Sequence, residues 1–260
     1  MIAVVGEHEW MSGEAASRSR IGLPGMQRDL IEAMIATGKP VVVVLMNGRP
    51  LAIPWVAENA PAIVETWFGG TMAGPAICDV LFGDYNPSGK LPVTFPRNEG
   101  QIPIFLGMKN TGRPMQPENK YTSKYLDVSN TPLYPFGYGL SYTTFAYGPL
   151  GVNKANFNFG EPLTVSVTIT NTGACSGAEV VQLYVQDLVG SVTRPVKELK
   201  GFKKIFLEAG EAKRLDFTLT SDDLRFYTAD MSFAAEPGDY VIYVGGSSDL
   251  DTGVTVTLID

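Results

Sequence analysis

Three stretches of this sequence concentrate side chains able to do chemistry, and each follows a run of apolar residues. The first reads Glu7-His8-Glu9-Trp10 and continues to Ser12-Gly13-Glu14-Ala15-Ala16-Ser17-Arg18. The second is Asn47-Gly48-Arg49-Pro50, and the third is Trp67-Phe68-Gly69-Gly70-Thr71. Carboxylates can move protons, Arg18 and Arg49 can clamp hydroxyls or pair with acids, and Trp10, Trp67 and Phe68 can stack on an apolar face. Together they suit a polar ligand with apolar faces, such as a sugar.

Other chemistries find less support. His8 is the single histidine, and with Ser12 or Ser17 it would be the base of a Ser-His-acid triad. No G-x-S-x-G elbow and no S-x-x-K motif accompany it. One histidine and two distant cysteines, Cys78 and Cys175, supply neither metal-ligand spacing nor a disulfide framework. Both cysteines read as small buried apolar side chains. Gly69-Gly70 and Gly245-Gly246 are too short to cradle a phosphate, so no cofactor is expected. The net charge of −7 opposes binding to nucleic acid or to an anionic lipid surface. No apolar run approaches the roughly 20 residues that cross a bilayer, and no basic, cleavable leader opens the chain, so a soluble chain without a secretion signal is expected.

The elements that must position these residues fall into two textures. Up to about residue 95, apolar β-rich runs alternate with segments of helical period, the pattern of βαβ units around a parallel sheet. Ile2–Val5, Val41–Leu45 and Ala62–Thr66 are the expected strands. Met26, Leu30, Ile31, Met34 and Ile35 mark an amphipathic helix after Pro24, and Ala76–Phe82 a second one closed by Gly83. In such a sheet ligands bind beyond the carboxyl ends of the strands, where the three chemical stretches lie. Residues 96–150 are rich in Pro, Gly and Tyr and read as a long ordered connector burying Tyr121, Tyr125, Tyr134, Phe136, Tyr138, Tyr142 and Phe145. From residue 151 the period becomes two. Leu163, Val165, Val167 and Ile169 alternate with polar residues, and runs at 180–185, 203–207, 215–219, 240–244 and 254–258 follow. This is the strand count of an immunoglobulin-like sandwich. The expected fold is a partial doubly wound α/β sandwich (1–95), a connector (96–150) and a β-sandwich (151–260).

Longer motifs now carry a resemblance. Thr66-Trp67-Phe68-Gly69-Gly70-Thr71, the run Asp79-Val80-Leu81-Phe82-Gly83-Asp84-Tyr85-Asn86-Pro87-Ser88-Gly89-Lys90-Leu91-Pro92, Asn110-Thr111-Gly112-Arg113-Pro114, and Leu133-Tyr134-Pro135-Phe136-Gly137-Tyr138-Gly139-Leu140-Ser141-Tyr142-Thr143-Thr144-Phe145 resemble the C-terminal region of glycoside hydrolase family 3 β-glucosidases of bacterial periplasmic type. Arg194-Pro195-Val196-Lys197-Glu198-Leu199-Lys200-Gly201-Phe202 is similar to their closing fibronectin type III-like domain. The resemblance implies retaining hydrolysis of a β-linked glucoside or oligosaccharide in a periplasmic or extracellular setting. It also implies an Asp nucleophile on an N-terminal (β/α)8 barrel that this chain does not contain. By position Glu14 matches the family's acid/base segment. As a lone residue it would read as a solvated loop carboxylate near a helix start. Glu7, His8, Trp10, Arg18, Arg49, Trp67 and Phe68 are the expected substrate-binding walls. Where relatives commonly carry Glu and Gly this chain has Met72 and Ala73, and Phe105, Leu106, Gly107 and Met108 replace aromatics and a His. The alternatives are a non-catalytic carbohydrate-binding or assembly module and an esterase-type hydrolase built on His8. The uncovered edge of a half sandwich also leads us to expect self-association or a separate barrel portion.

Overall fold

The computed structural model describes residues 1–260 and divides into two compact units. The first comprises Met1–Tyr85, Thr94–Ile104 and Lys124–Tyr134. Its centre is a parallel sheet of β1 (Ile2–Gly6), β2 (Val42–Met46) and β3 (Ala62–Glu65), in the order β1-β2-β3. A central parallel strand must be apolar on both faces, and Val43, Val44 and Leu45 of β2 are fully buried. On β1 the faces differ: Ala3 and Val5 are buried while Ile2 and Val4 are exposed.

Helix α1 (Gln27–Ala36) packs Ile31, Met34 and Ile35 onto this sheet with Leu51, Ile53 and Val56. The helical stripe predicted from sequence is too wide by half, because Met26 and Leu30 face solvent. A short helix that the periodicity did not predict, α2 (Pro54–Asn59), begins on the fixed φ of Pro54. Helix α3 (Ala73–Phe82) ends at Gly83, which takes the left-handed conformation that only glycine adopts without strain (φ +85°). None of the α3 side chains is fully buried, so Cys78 is exposed. Cys175 is also exposed, its thiol 3.3 Å from the Tyr142 carbonyl oxygen. Both cysteines are free, which corrects the expectation that they are buried core residues.

The second unit comprises Asn86–Val93, Phe105–Ser123 and Pro135–Asp260. Its strands are β4 (Phe145–Tyr147), β5 (Gly151–Val152), β6 (Asn156–Asn158), β7 (Leu163–Asn171), β8 (Gly177–Asp187), β9 (Glu198–Leu207), β10 (Ala212–Leu219), β11 (Phe226–Tyr227), β12 (Phe233–Ala234), β13 (Gly238–Gly245) and β14 (Val254–Ile259). One sheet runs β10-β7-β4 with β5 also on β7, the other β6-β14-β13-β8-β9, and β11 pairs with β12. The inward residues of β7, Leu163, Val165, Val167 and Ile169, meet Val181, Leu183, Val185, Ile242, Val256 and Leu258 in one core. This is a β-sandwich, following a partial α/β sandwich, as the two textures predict. The residues read as a connector are shared between the units. Of its aromatics, Tyr134, Phe136, Tyr138 and Phe145 are partly buried, whereas Tyr121, Tyr125 and Tyr142 are exposed.

Candidate functional site

The register of the sheet brings the three chemical stretches to one edge. Gly6 pairs with Met46, and Leu45 pairs with Glu65, so Glu7, Asn47 and Trp67 leave their strands side by side. The exit of β1 is held tightly. Gly6 lies at φ +138°, a Cβ there would overlap the Met46 backbone, and the Gln27 amide brackets its peptide by accepting from Gly6 N (2.8 Å) and donating to Gly6 O (2.9 Å).

Glu7 then turns inward. Its side chain has no solvent exposure and forms ion pairs with Arg18 and with Arg49, whose Nε lies 3.1 Å away. Arg49 also donates through Nη2 to the carbonyl oxygens of Met11 and, at 2.8 Å, Ala16, while Arg18 donates to Gly22 O at 3.3 Å. The amide of Ile21 donates to Glu99 Oε1 (2.9 Å). A loop of irregular backbone, Met11–Gly22, is thus fastened along its length through side chains, because it has no ladder of its own to satisfy its peptide groups. Removing one member of so buried a charge cluster typically costs about 3–5 kcal/mol.

Glu14 stands on the crest of this loop. The turn Gly13–Ala16, closed by Ala16 N donating to Gly13 O (3.3 Å), places it between Gly13 at φ +111° and Ala15 at φ +58°. A non-glycine residue in the left-handed region carries about 1–3 kcal/mol of strain and persists only where its surroundings enforce it. The Glu14 side chain is exposed and makes no hydrogen bond or ion pair.

The other expected residues sort into three arrangements. Phe68 and Ser12 crowd Gly48, where a Cβ would lie 2.8 Å from the Phe68 ring, so the loops after β1, β2 and β3 meet there. Trp67, also left-handed at φ +54°, turns inward, its ring centroid 6.0 Å from that of buried Phe95. His8 and Trp10 form an edge-to-face pair with centroids 5.1 Å apart, and Trp10 is 81% exposed. His8 Nδ1 accepts from the Trp10 amide (3.3 Å), capping the short helical turn Glu9–Met11. A triad base needs the opposite arrangement, with Nδ1 carrying the proton and Nε2 free to accept one.

Sequence reasoning passed over Glu65. It ends β3, where its carboxylate accepts from Trp67 N (2.9 Å) and Asn47 Nδ2 (3.1 Å). Burial pushes its carboxyl up to about 7, against the opposing pull of these two donors. Asn47 is wholly buried, its Nδ2 also donating to Arg49 O (2.8 Å), while its Oδ1 has no partner. An acid closing the otherwise apolar run Ala62-Ile63-Val64 was the available signal. No group of three or more His, Cys, Asp or Glu side chains is placed to hold a metal ion.

Residues 1–142 match the glycosyl hydrolase family 3 C-terminal domain, and residues 179–248 a fibronectin type III-like domain. The chain is 54% identical to the periplasmic β-glucosidase of Salmonella typhimurium over 95% of its own length and 33% of that protein's. It is 46% identical to a β-xylosidase of Formosa agariphila, over 99% of this chain and 35% of that one. Among solved structures, the β-glucosidase of Listeria innocua in complex with laminaribiose superposes with a TM-score of 0.94 at 44% identity, covering all of this chain and 36% of that one. The chain spans about a third of the length of the curated relatives that it matches.

Proposed function

From the premise that this chain belongs to glycoside hydrolase family 3, we propose that it forms the C-terminal portion of a retaining β-glucosidase, supplying the acid/base loop and walls of the sugar site. The observation that carries this reading is the contrast within one loop. Its backbone is fastened at Met11, Ala16, Ile21 and Gly22, while Glu14 between them, next to left-handed Ala15, is exposed and unbonded. A side chain held ready on a rigid crest can protonate a leaving group, whereas a carboxylate already satisfied by arginines cannot.

Retaining chemistry requires two carboxyl groups about 5–5.5 Å apart, one as nucleophile and one as proton donor and later base. Glu7 does not serve as the first, since Arg18 and Arg49 occupy its oxygens. The family resemblance implies that the nucleophile is an Asp on a barrel outside this chain, and the proposal adopts that division. In this division Glu14 donates to the glycosidic oxygen and then takes a proton from the water that releases the sugar. Trp10 and Phe68 offer exposed apolar faces to the substrate, and Glu7, Arg18 and Arg49 hold the loop in place. Relatives named β-glucosidase make a terminal β-linked glucose the proposed substrate; the β-xylosidase relative makes a β-xyloside the competing one.

The test is turnover of nitrophenyl β-glucoside and nitrophenyl β-xyloside by this chain alone and together with the remaining two thirds of a β-glucosidase relative. The expected result is no turnover alone, glucoside turnover together, and its loss in Glu14→Gln but not in His8→Ala. Vigorous glycoside cleavage by the chain alone, or full turnover in Glu14→Gln, would overturn the assignment. Turnover of nitrophenyl acetate that disappears with His8→Ala would support the esterase-type reading instead.

A further inference from the structure

We propose that Glu65 is a positioning residue for the Met11–Gly22 loop, acting through Asn47 and Arg49. This rests on the reading of that loop as the acid/base loop, although the linkage can be tested without it. Glu65 accepts from Asn47 Nδ2 (3.1 Å), the same nitrogen donates to Arg49 O (2.8 Å), and the Arg49 guanidinium fastens Met11 O, Ala16 O and Glu7. One carboxylate at the end of β3 is thereby connected, through two side chains, to both sides of the turn that presents Glu14.

Three features support this linkage. Asn47 is completely buried yet leaves its Oδ1 without a partner, so its orientation is dictated by the two acceptors that share Nδ2. Burial of an ionisable Glu is unfavourable, and a neutral residue would cap β3 with less penalty if fold alone mattered. Glu65 also accepts from the amide of Trp67, fixing the left-handed turn that leads into Phe68. The charged side chains in the network are Glu7, Arg18 and Arg49, and they pair with one another, leaving Glu65 only the amides of Trp67 and Asn47.

Glu65→Gln tests the idea. The amide keeps one acceptor but presents a donor in place of the other, so it cannot accept from both nitrogens, while a partly buried charge is removed. At about pH 8, backbone hydrogen exchange in residues 11–22 is expected to quicken several-fold, whereas global resistance to denaturant is unchanged or increased. Asn47→Ala is expected to quicken the same amides, and the double variant no more than either single one, since the two act in series. Glu65→Asp, which restores a carboxylate, is expected to recover part of the protection. Glu14→Gln breaks no bond of the linkage and should exchange like the parent chain, so failure of the acid/base assignment leaves this result standing. Unchanged loop exchange in Glu65→Gln would overturn the proposal. So would quickening spread evenly over β1, β2 and β3 together with lower global stability, which is what a purely structural role gives.

Discussion

The strand ends of the first unit and the sandwich of the second handle buried polarity differently. In the second unit several buried polar side chains close bonds between elements. Gln182 donates to Gly137 O and Gly246 O, Asn171 to Cys175 O and Leu207 O, and Glu179 meets Lys90 (3.2 Å) and the Tyr147 hydroxyl (2.8 Å). At the strand ends of the first unit, two non-glycine residues, Ala15 and Trp67, are left-handed, the Asn47 amide oxygen lacks a partner and the partly buried Glu65 has a raised pKa, all within one site; the second unit has its own exceptions in left-handed Met231 and in the Asp187–Arg194 ion pair, whose facing atoms make no hydrogen bond. Such departures from local preference collect where a structure must present groups as well as cohere. The difference is one of concentration: at the sheet edge these departures gather around the loop proposed to carry Glu14.

Four measurements sharpen or break that contrast. The largest effect is expected from Glu7→Ala, which strands Arg18 and Arg49: denaturant unfolding should show a loss of about 3–5 kcal/mol. A loss below about 1 kcal/mol would mean that the cluster is not the anchor described. In the sandwich, Leu183→Ala removes a fully buried side chain and should cost about 2–5 kcal/mol, a packing penalty without any change in exchange at residues 11–22.

The third concerns pH. Because the folded-state carboxyl of Glu65 titrates above its ordinary value, the folded state binds its proton more tightly than the unfolded chain does. Stability from this group is complete below about 4.5 and is lost as pH rises through about 7. Glu65→Gln, which does not titrate, should therefore gain on the parent chain by roughly 2–3 kcal/mol across that window. A flat difference would show that Glu65 is well solvated. The smallest effect belongs to Ala15→Gly: relief of the left-handed strain should leave stability unchanged or raise it by up to about 1 kcal/mol. A clear destabilisation would mean that the Ala15 methyl has a packing role.

Much of this architecture was legible before any coordinates. The alternation of Leu163, Val165, Val167 and Ile169 requires a strand with one buried face, and the uninterrupted Val41–Leu45 run requires one buried on both. The three chemical stretches were placed on one edge by the rule for parallel sheets. What escaped was pairwise. Nothing in the spacing of Glu7, Arg18 and Arg49 says that they form one ion cluster rather than line a pocket, because the loop that joins them has no periodicity. Glu65 was hidden inside a strand pattern, and the wide apolar stripe of α1 could not reveal that Met26 and Leu30 remain in solvent.

The central claim is that Glu14 donates the proton. It is tested most directly by products formed with Glu14→Gln, reconstituted with the remaining part of a β-glucosidase relative, in the presence of azide. Loss of a positioned acid typically slows such reactions about 10²–10⁴-fold for poor leaving groups, while an activated leaving group needs no proton. The account predicts that nitrophenyl β-glucoside still glycosylates the enzyme and that azide, needing no base, releases a β-glucosyl azide. Turnover equal to that of the parent chain, with no azide adduct, would contradict it.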